Sequence, residues 1–223
     1  AGCSNAIGQD APSRLDARLA TPMPPGGAAR ARALIGRLRE AGLSKYNLDA
    51  PPLPALPKGR RILVPGQVED DASIRFGCTG VKTNLGLLQA ARQAHPDAFI
   101  VYKPHPDVMS GNRAGKLALA QARGLAAHVE AQLSVVSCIE ACDLVHTMTS
   151  LTGFDAPLRG KRVVVYGQPF YAGWGLTDDV LPDGAAFARR RQRGRALTLD
   201  ELVAGTLLRY PLYWDWQLKG YTT

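Results

Sequence analysis

Three consecutive acids, Glu69, Asp70 and Asp71, come shortly after the apolar segment RILVP and are the first residues that could carry out chemistry. Like charges held close together raise one another's pKa, so the cluster costs free energy unless the carboxylates have a use. In a catalytic site, one carboxylate can act as nucleophile or base while another acts as an acid. The alternative is an acidic turn in which a side chain caps a helix.

A histidine between two prolines follows the next apolar segment, in the sequence KPHPD. Pro104 and Pro106 restrict the backbone on both sides of His105, so the imidazole is held in place. A fixed histidine close to Lys103 suits a phosphate or a carboxylate. The alternative is a strand-to-loop turn with an incidental histidine.

Hydroxyl groups and a glycine follow a third apolar segment, in the sequence TMTSLTGF. Thr149, Ser150 and Gly153 lie where a helix is predicted to begin, and free backbone N–H groups at a helix start bind anions. Capping of that helix by Thr149 or Ser150 is the simpler interpretation, and it is compatible with phosphate binding.

Aromatic residues and glycines share the loop GQPFYAGWG after a fourth apolar segment. Tyr171 and Trp174 could offer rings for stacking on a ligand, and the glycines permit close backbone approach. The alternative is a structural loop whose aromatic side chains fill the edge of the core.

Short apolar runs that alternate with helical patterns must position these groups. Strands are predicted at 61–65, 98–102, 128–130, 144–147 and 163–166, and helices at 84–93, 116–123, 135–142, 151–158 and 199–208. This alternation indicates an α/β protein with a parallel sheet covered on both faces, in which ligands bind beyond the carboxyl ends of the strands. We expect a flexible lead-in at 1–30, a helix and Pro-rich linker at 31–59, and an α/β domain with a helical tail at 60–223.

Composition narrows the classes of function. The chain has 223 residues, 46% of them hydrophobic, and a net charge of +8, which favours anionic partners. The basic cluster at 189–195 has no interleaved aromatics, so nucleic acid is not expected as a partner, and the cluster is either a solvated loop or a patch for membrane or acidic substrate. Walker A, GxGxxG, GxSxG and HExxH motifs are absent, as is any zinc-ligand spacing of the four cysteines. The start lacks the layout of a signal peptide, and a soluble intracellular protein is expected.

Taken in order, the motifs resemble the capsule polysaccharide β-Kdo transferase family (KpsC and LipB). The similarity covers the chain from about residue 31 and is carried by the segments SKYN, VPGQVEDDASI, YKPHPDV and HTMTSLTGF and by residues 166–177 and 197–214. It implies a Rossmann-like fold that forms one half of a two-domain, GT-B-like glycosyltransferase, with residues 60–223 as the half that binds the nucleotide sugar.

The resemblance implies CMP-β-Kdo as donor and a Kdo primer on lysophosphatidylglycerol as acceptor, at the cytoplasmic face of the inner membrane. It also implies retention of configuration through a sugar–enzyme adduct on an aspartate, which by position is Asp71, with Asp70 as second choice. His105 would contact the CMP phosphate or protonate it on departure, and Lys103 would neutralise charge nearby. Thr149 and Ser150 would hold the phosphate, and no metal is expected. The further substrate-binding residues expected from the matching segments are Gln67, Glu69, Ser73, Gly153, Asp155, Tyr171 and Trp174.

Two features depart from the family pattern. Asp155 and Pro157 stand where the family usually has a glutamate and a leucine, so the acid that would contact the nucleotide is one methylene shorter. Residues 1–60 are too short and Pro-rich for a second Rossmann-like domain, so the acceptor half is expected to be missing.

Other classes of function remain open. The chain could be a non-catalytic scaffold module that binds a CMP-sugar or docks on a membrane, another CMP-sugar transferase, or a nucleotide-sugar epimerase, although the dinucleotide fingerprint is absent. The tail aromatics, Tyr210, Tyr213, Trp214 and Trp216, could lie at a membrane interface or pack on a second domain.

Overall fold

Runs of β-branched and other apolar residues form one parallel sheet, described by a computed structural model that covers residues 13–45, 56–180, 190 and 196–222. Its six strands lie in the order β3-β2-β1-β4-β5-β6. This is the Rossmann strand order, and its direction of winding reverses between β1 and β4. The strands are β1 Arg61–Pro65, β2 Phe99–Lys103, β3 His128–Val129, β4 Leu144–Thr147, β5 Arg162–Val165 and β6 Asp178–Asp179.

Helices cover both faces of this sheet because the side chains of each strand alternate between them. Leu63 of β1 packs into one core with α1, α2, α7, α8 and α9. Its neighbours Ile62 and Val64 pack into the other core with α3, α4 and α6. The helices are α1 Arg14–Ala20, α2 Gly27–Glu40, α3 Ala72–Gly77, α4 Asn84–Ala94, α5 Pro106–Met109, α6 Leu119–Leu125, α7 Val135–Ala141, α8 Thr152–Leu158 and α9 Leu199–Val203.

The predicted α/β fold with a Rossmann-like parallel sheet is confirmed. The bounds of β1 and β4 are those predicted, and β2 and β5 are each shifted by one residue. Within the described residues, no helix combines the length and apolar character needed to cross a lipid bilayer.

The flexible lead-in expected at 1–30 is wrong for the part that the structure describes. Ser13 caps α1 by accepting a hydrogen bond from the backbone N–H of Asp16, and Leu15 and Leu19 of this helix are buried in the core. Two apolar residues four apart were too short a pattern to indicate a helix in a segment rich in Ala and Pro. Most of the predicted Pro-rich linker, 51–55, lies outside the described residues.

The basic cluster at 189–195 is not a fully solvated loop, because Arg190 is buried. Its Nε donates to Asp16 Oδ1 at 3.1 Å, and its Nη1 donates to the carbonyl oxygens of Pro169 and Ala172. The guanidinium also lies over the ring of Trp174. The remaining residues of the cluster lie outside the described residues.

The tail is helical only in its first part. Thr198 and Glu201 form a capping box at the start of α9, and a π-helical segment, Ala204–Arg209, continues it. The chain then forms an antiparallel hairpin of β7 (Tyr213–Asp215) and β8 (Gly220–Thr222) instead of the expected helical tail. The Tyr213 hydroxyl donates to the carbonyl of Leu207 at 2.7 Å, which joins the hairpin to the π-helical segment.

His146 of β4 is a buried titratable group below the carboxyl end of the sheet. Its Nδ1 lies 3.1 Å from the Tyr166 hydroxyl, and its ring meets that of His95 edge-on, with the centroids 5.1 Å apart. Its Nε2 is buried and has no hydrogen-bond partner among the described residues. Burial, with a smaller effect of His95, lowers the pKa of His146 to about 4.

This burial makes the fold sensitive to acid. The folded chain holds His146 neutral while the unfolded chain takes up the proton, so we expect the free energy of unfolding to fall as the pH drops from 6.5 to about 4. The loss should reach about 3 kcal/mol at the acidic end, and His146→Gln should flatten the dependence. Urea unfolding across this range measures it, with the more exposed His128→Gln as control. An unchanged pH dependence in His146→Gln would contradict the assignment.

Candidate functional site

The side chain of Gln67 joins the carboxyl ends of β1 and β4, where the sheet reverses direction. Its Oε1 accepts hydrogen bonds from the backbone N–H of Thr149 at 3.0 Å and from the Thr147 hydroxyl at 3.3 Å. Its Nε2 donates to Thr149 Oγ1 at 2.9 Å, and that hydroxyl in turn donates to Ser73 Oγ at 3.1 Å. Three residues expected at the site, Gln67, Ser73 and Thr149, are therefore joined in one hydrogen-bonded network.

Asn84, which was not predicted as a site residue, fixes the backbone beside this network. Its Oδ1 accepts from the N–H of Gln67 at 2.8 Å, and its Nδ2 donates to the carbonyls of Gln67 and Gly115. Gly115 has a φ of 118°, and a Cβ there would lie 2.8 Å from both Asn84 Nδ2 and the Gln67 carbonyl oxygen. The sequence offered one signal for this role, which is the position of Asn84 at the start of a predicted helix. Its hydrogen-bond partners could not be predicted because they are distant in sequence.

Glu69 lies at the same place in a supporting position. Its Oε1 accepts from the backbone N–H of Asn84 at 2.6 Å, which satisfies a free donor at the start of α4. Its own N–H donates to the Ala114 carbonyl. These bonds show Glu69 holding two loops together, and a direct contact with substrate stays a prediction.

Asp71 is the N-cap of α3, which agrees with the alternative interpretation of the acidic cluster as a helix-capping turn. Its Oδ1 accepts from the N–H of Ser73 at 2.8 Å, and the hydrogen bonds with Ser73, the largest cause, hold the pKa of Asp71 below its usual value. The cations of Arg113 and Lys45 add to this lowering. Asp71 is therefore ionised at neutral pH and half-buried, as a carboxylate nucleophile must be.

Asp70 differs from its neighbour in both exposure and partner. It is exposed and forms an ion pair with Arg113, with Oδ1 and Nη2 3.2 Å apart. The two aspartates are therefore distinct in the structure, and the environment of Asp71 is the better suited to a nucleophile.

His105 begins α5 at the carboxyl end of β2. Its Nδ1 accepts from the N–H of Asp107 at 3.2 Å, so the neutral ring carries its proton on Nε2. Burial is the largest cause of the lowered pKa of His105, and the charges of Lys45 and Arg113 lower it further while those of Asp107 and Asp71 oppose this. The structure thus brings His105 within electrostatic range of Asp71, as expected for one site.

Lys103 lies at the end of β2 with only 8% of its surface exposed. Burial raises the pKa of Cys138 on α7 to about 11, and the positive charge of Lys103 partly opposes this rise. The ammonium group of Lys103 therefore lies on the α7 side of the sheet. Within the described ranges, no residue forms a hydrogen bond or an ion pair with this ammonium group. A buried cation of this kind can bind an anion.

Ser150 and Thr149 lie in the turn between β4 and α8. Ser150 Oγ accepts from the N–H of Thr152 at 3.2 Å and donates to Thr152 Oγ1 at 3.0 Å in the turn just before the helix. The predicted N-capping by Thr149 or Ser150 is wrong, because Leu151 is the N-cap of α8 and makes no side-chain cap bond, while Thr149 bonds Gln67 and Ser73. Both residues are partly accessible at the edge of the sheet.

Tyr171 and Trp174 do not present the stacking surfaces that were expected. Both are almost fully buried; the Tyr171 hydroxyl donates to the carbonyl of Ser150, and Trp174 Nε1 donates to the carbonyl of Phe170. A Cβ at Gly153 would lie 2.3 Å from the Tyr171 hydroxyl, so this glycine makes room for the tyrosine. The rings fill the edge of the core because Arg190 and the turn after β4 enclose them.

Asp155 lies on α8 and is half-buried. Burial raises its pKa to about 6, and the charge of Arg159 partly opposes this rise. A contact of Asp155 with the nucleotide stays a prediction.

A cavity of about 810 Å³ opens beside His105, beyond the ends of β2 and β3. Pro104 and Val108, on either side of the histidine in the chain, line it together with apolar residues such as Leu117 and Ala122. Lys116 and Arg123 also line it, and none of its lining residues is acidic. The cavity therefore suits a partly apolar, anionic ligand.

In the part of the chain that the structure describes, no group of three or more His, Cys, Asp or Glu side chains could hold a metal ion.

Comparisons with known proteins identify relatives of this chain. A family model described as capsule polysaccharide biosynthesis protein matches residues 28–213. The capsule polysaccharide modification protein LipA of Neisseria meningitidis serogroup B is 50% identical over 177 residues, which are 79% of this chain and 24% of LipA. The lipopolysaccharide-processing protein LpsZ of Rhizobium meliloti is 41% identical over 187 residues, which are 82% of this chain and 41% of LpsZ.

Two solved structures share the fold. The structure of the β-Kdo 2,7 transferase of Thermosulfurimonas dismutans KpsC matches with a TM-score of 0.73 and 38% identity. The match covers 94% of this chain and 62% of the transferase chain. The β-Kdo 2,4 transferase of the same protein matches with a TM-score of 0.77 and 30% identity, over 94% of this chain and 64% of its own.

The chain thus spans about a quarter of LipA and less than two thirds of either transferase chain. The matching family model extends over most of its length, including every strand of the parallel sheet. On this basis the chain belongs to the capsule polysaccharide biosynthesis protein family.

Proposed function

We propose that this chain is the donor-binding half of a retaining β-Kdo glycosyltransferase, which transfers Kdo from CMP-Kdo in capsule polysaccharide biosynthesis. The observation that carries the proposal is the Gln67–Thr149–Ser73 network, which holds the ionised Asp71 beside the reversal point of the sheet. Ligands of Rossmann-like sheets bind at this point. Similarity to two β-Kdo transferase structures supports the choice of sugar.

The donor phosphate would lie between the ends of β2 and β4. The Nε2–H of His105 would donate a hydrogen bond to it, and the buried ammonium of Lys103 would balance its charge. The hydroxyls of Thr149 and Ser150 would turn from Ser73 and Thr152 to donate to it as well. The cytidine would enter the cavity beside Pro104 and Val108, whose apolar walls suit a nucleobase. These cationic and hydroxyl groups suit an anionic donor without a resident metal.

In the first step, the Asp71 carboxylate would attack the anomeric carbon of Kdo as the bond to the CMP phosphate breaks. CMP leaves with the electron pair of that bond, and its charge is stabilised by the groups around the phosphate. In the second step, an acceptor hydroxyl attacks the anomeric carbon from the opposite side and gives its proton to solvent, and the bond to the Asp71 carboxylate breaks with its electron pair on the carboxylate. Two inversions give net retention, and Asp71 returns to its starting form.

The acceptor would be a Kdo primer linked to lysophosphatidylglycerol, presented at the cytoplasmic face of the inner membrane. We propose that a second Rossmann-like domain contributes the acceptor half, because GT-B-like transferases bind donor and acceptor on different domains. The structures that match this chain have further sequence of their own beyond the matched part.

Binding of CMP tests the donor site. His105→Ala and Thr149→Ala each remove one donor to a charged phosphate, so we expect each to weaken CMP binding about 10- to 100-fold in calorimetry. Thr21→Ala is the matched control, because its hydroxyl bonds only its own helix, at the Ala17 carbonyl. UMP and ADP should bind more weakly, and a chelator should change nothing.

Equal binding of all three nucleotides, or of CMP by all variants, would contradict the donor site described. A folded chain that does not bind CMP would mean that another domain completes the site.

The adduct tests the chemistry. After incubation with CMP-Kdo, intact-protein mass spectrometry should detect one Kdo bound through an ester and released by hydroxylamine. Asp71→Asn should abolish this adduct, whereas Asp70→Asn should retain it because Asp70 is exposed and paired with Arg113. Adduct formation in Asp71→Asn would show that the nucleophile is another residue. CMP binding without any adduct, even with the second domain supplied, would favour a non-catalytic CMP-sugar-binding module.

A further inference from the structure

The hairpin β7–β8 presents five large apolar side chains on its outer side. In an antiparallel pair, alternate residues share a face, and Trp214 lies directly opposite Tyr221. The Trp214 ring meets those of Tyr221 and Trp216 edge-on, with centroids 5.2 and 6.2 Å apart. Leu212, just before β7, and Leu218, in the turn, are also exposed. We call these five exposed residues the aromatic face: Leu212, Trp214, Trp216, Leu218 and Tyr221.

The aromatic face is formed before any partner binds. Tyr213 points to the other side and bonds the Leu207 carbonyl, so the hairpin is fixed to the body of the protein. Cross-strand aromatic pairs stabilise such a hairpin further. Ordering this surface on binding therefore costs little conformational entropy.

Exposure is greatest at the tip of the hairpin. Trp216 is 84% exposed and Leu218 is 76% exposed, so both side chains project outward from the turn. A projecting tip needs a concave surface on a protein partner, whereas a lipid headgroup layer deforms around it. Trp and Tyr also prefer the boundary between headgroups and acyl chains, because each has an apolar ring and a polar group.

The charges around the aromatic face favour an anionic surface. Lys219 lies in the turn with a φ of 49°, and Arg209 ends the π-helical segment at the base of the hairpin. The carboxylate of Asp215 keeps its negative charge and is held within the turn, where Oδ1 accepts from the N–H groups of Gln217 and Leu218, so with Lys219 and Arg209 the local charge is still positive. The whole chain carries a net charge of +8.

We propose that the aromatic face docks on an anionic phospholipid bilayer, with Trp216 and Leu218 entering the headgroup region and Lys219 contacting lipid phosphates. This rests on the proposed function for its setting at a membrane, but it does not require donor binding or transfer. It names the element of this chain that makes the contact.

Vesicle flotation tests the docking. The whole chain should float with vesicles of phosphatidylglycerol and phosphatidylcholine and bind more weakly to phosphatidylcholine alone. The double variant Trp216→Ser, Leu218→Ser should have a vesicle partition coefficient at least about tenfold lower. It lacks the apolar area that Trp216 and Leu218 would bury in the headgroup region. Phe76→Ala is the matched control, because Phe76 is a comparably exposed aromatic on α3 that should not meet the bilayer.

CMP calorimetry on the same variants separates this inference from the proposed function, because the double variant should bind CMP like the parent chain. Flotation that the double variant retains in full would overturn the docking. The docking would also be overturned if the chain bound neither kind of vesicle but self-associated through the hairpin, since the aromatic face would then bind protein.

Discussion

The carboxamide of Gln67 fills the gap between β1 and β4, and the site depends on it. The chain leaves β1 toward one face of the sheet, through α3 and α4, and leaves β4 toward the other face, through α8. Two strands that diverge in this way expose backbone groups at their ends, and these need partners. One side chain with both a donor and an acceptor meets the need, since it bonds the backbone of Thr149 and the hydroxyls of Thr147 and Thr149.

The same network sets the electrostatics of the site. Thr149 fixes Ser73, and Ser73 keeps Asp71 ionised through two hydrogen bonds. His105 is kept mainly neutral by burial and carries its proton on Nε2. A negative carboxylate and a neutral hydrogen-bond donor at neighbouring strand ends are what the proposed displacement of an anionic leaving group requires.

Local patterns predicted the strands and the strand-end residues, because apolar runs such as RILVP have few alternative structures. Asp71, His105 and Thr149 lie together as expected, since parallel strands bring their carboxyl ends to one edge. No bounds were predicted for short helices such as α3 and α5, because one or two turns give no measurable periodicity; for α3 only the capping by the acidic cluster was an alternative. The sequence could not decide between ligand stacking and burial for Tyr171 and Trp174, since Arg190 and Asp16, which enclose that loop, are distant in sequence.

The bond between Arg190 and Asp16 joins residues 174 positions apart. During synthesis, α1 therefore leaves the ribosome long before its partners in the loop, α9 and the π-helical segment exist. Leu15 and Leu19 lack these partners until α9 has been made, although they end in the same core as Leu202 and Val203. Assembly of this layer therefore waits for α9, and a nascent chain that stalls before α9 leaves the apolar face of α1 available to chaperones and proteases.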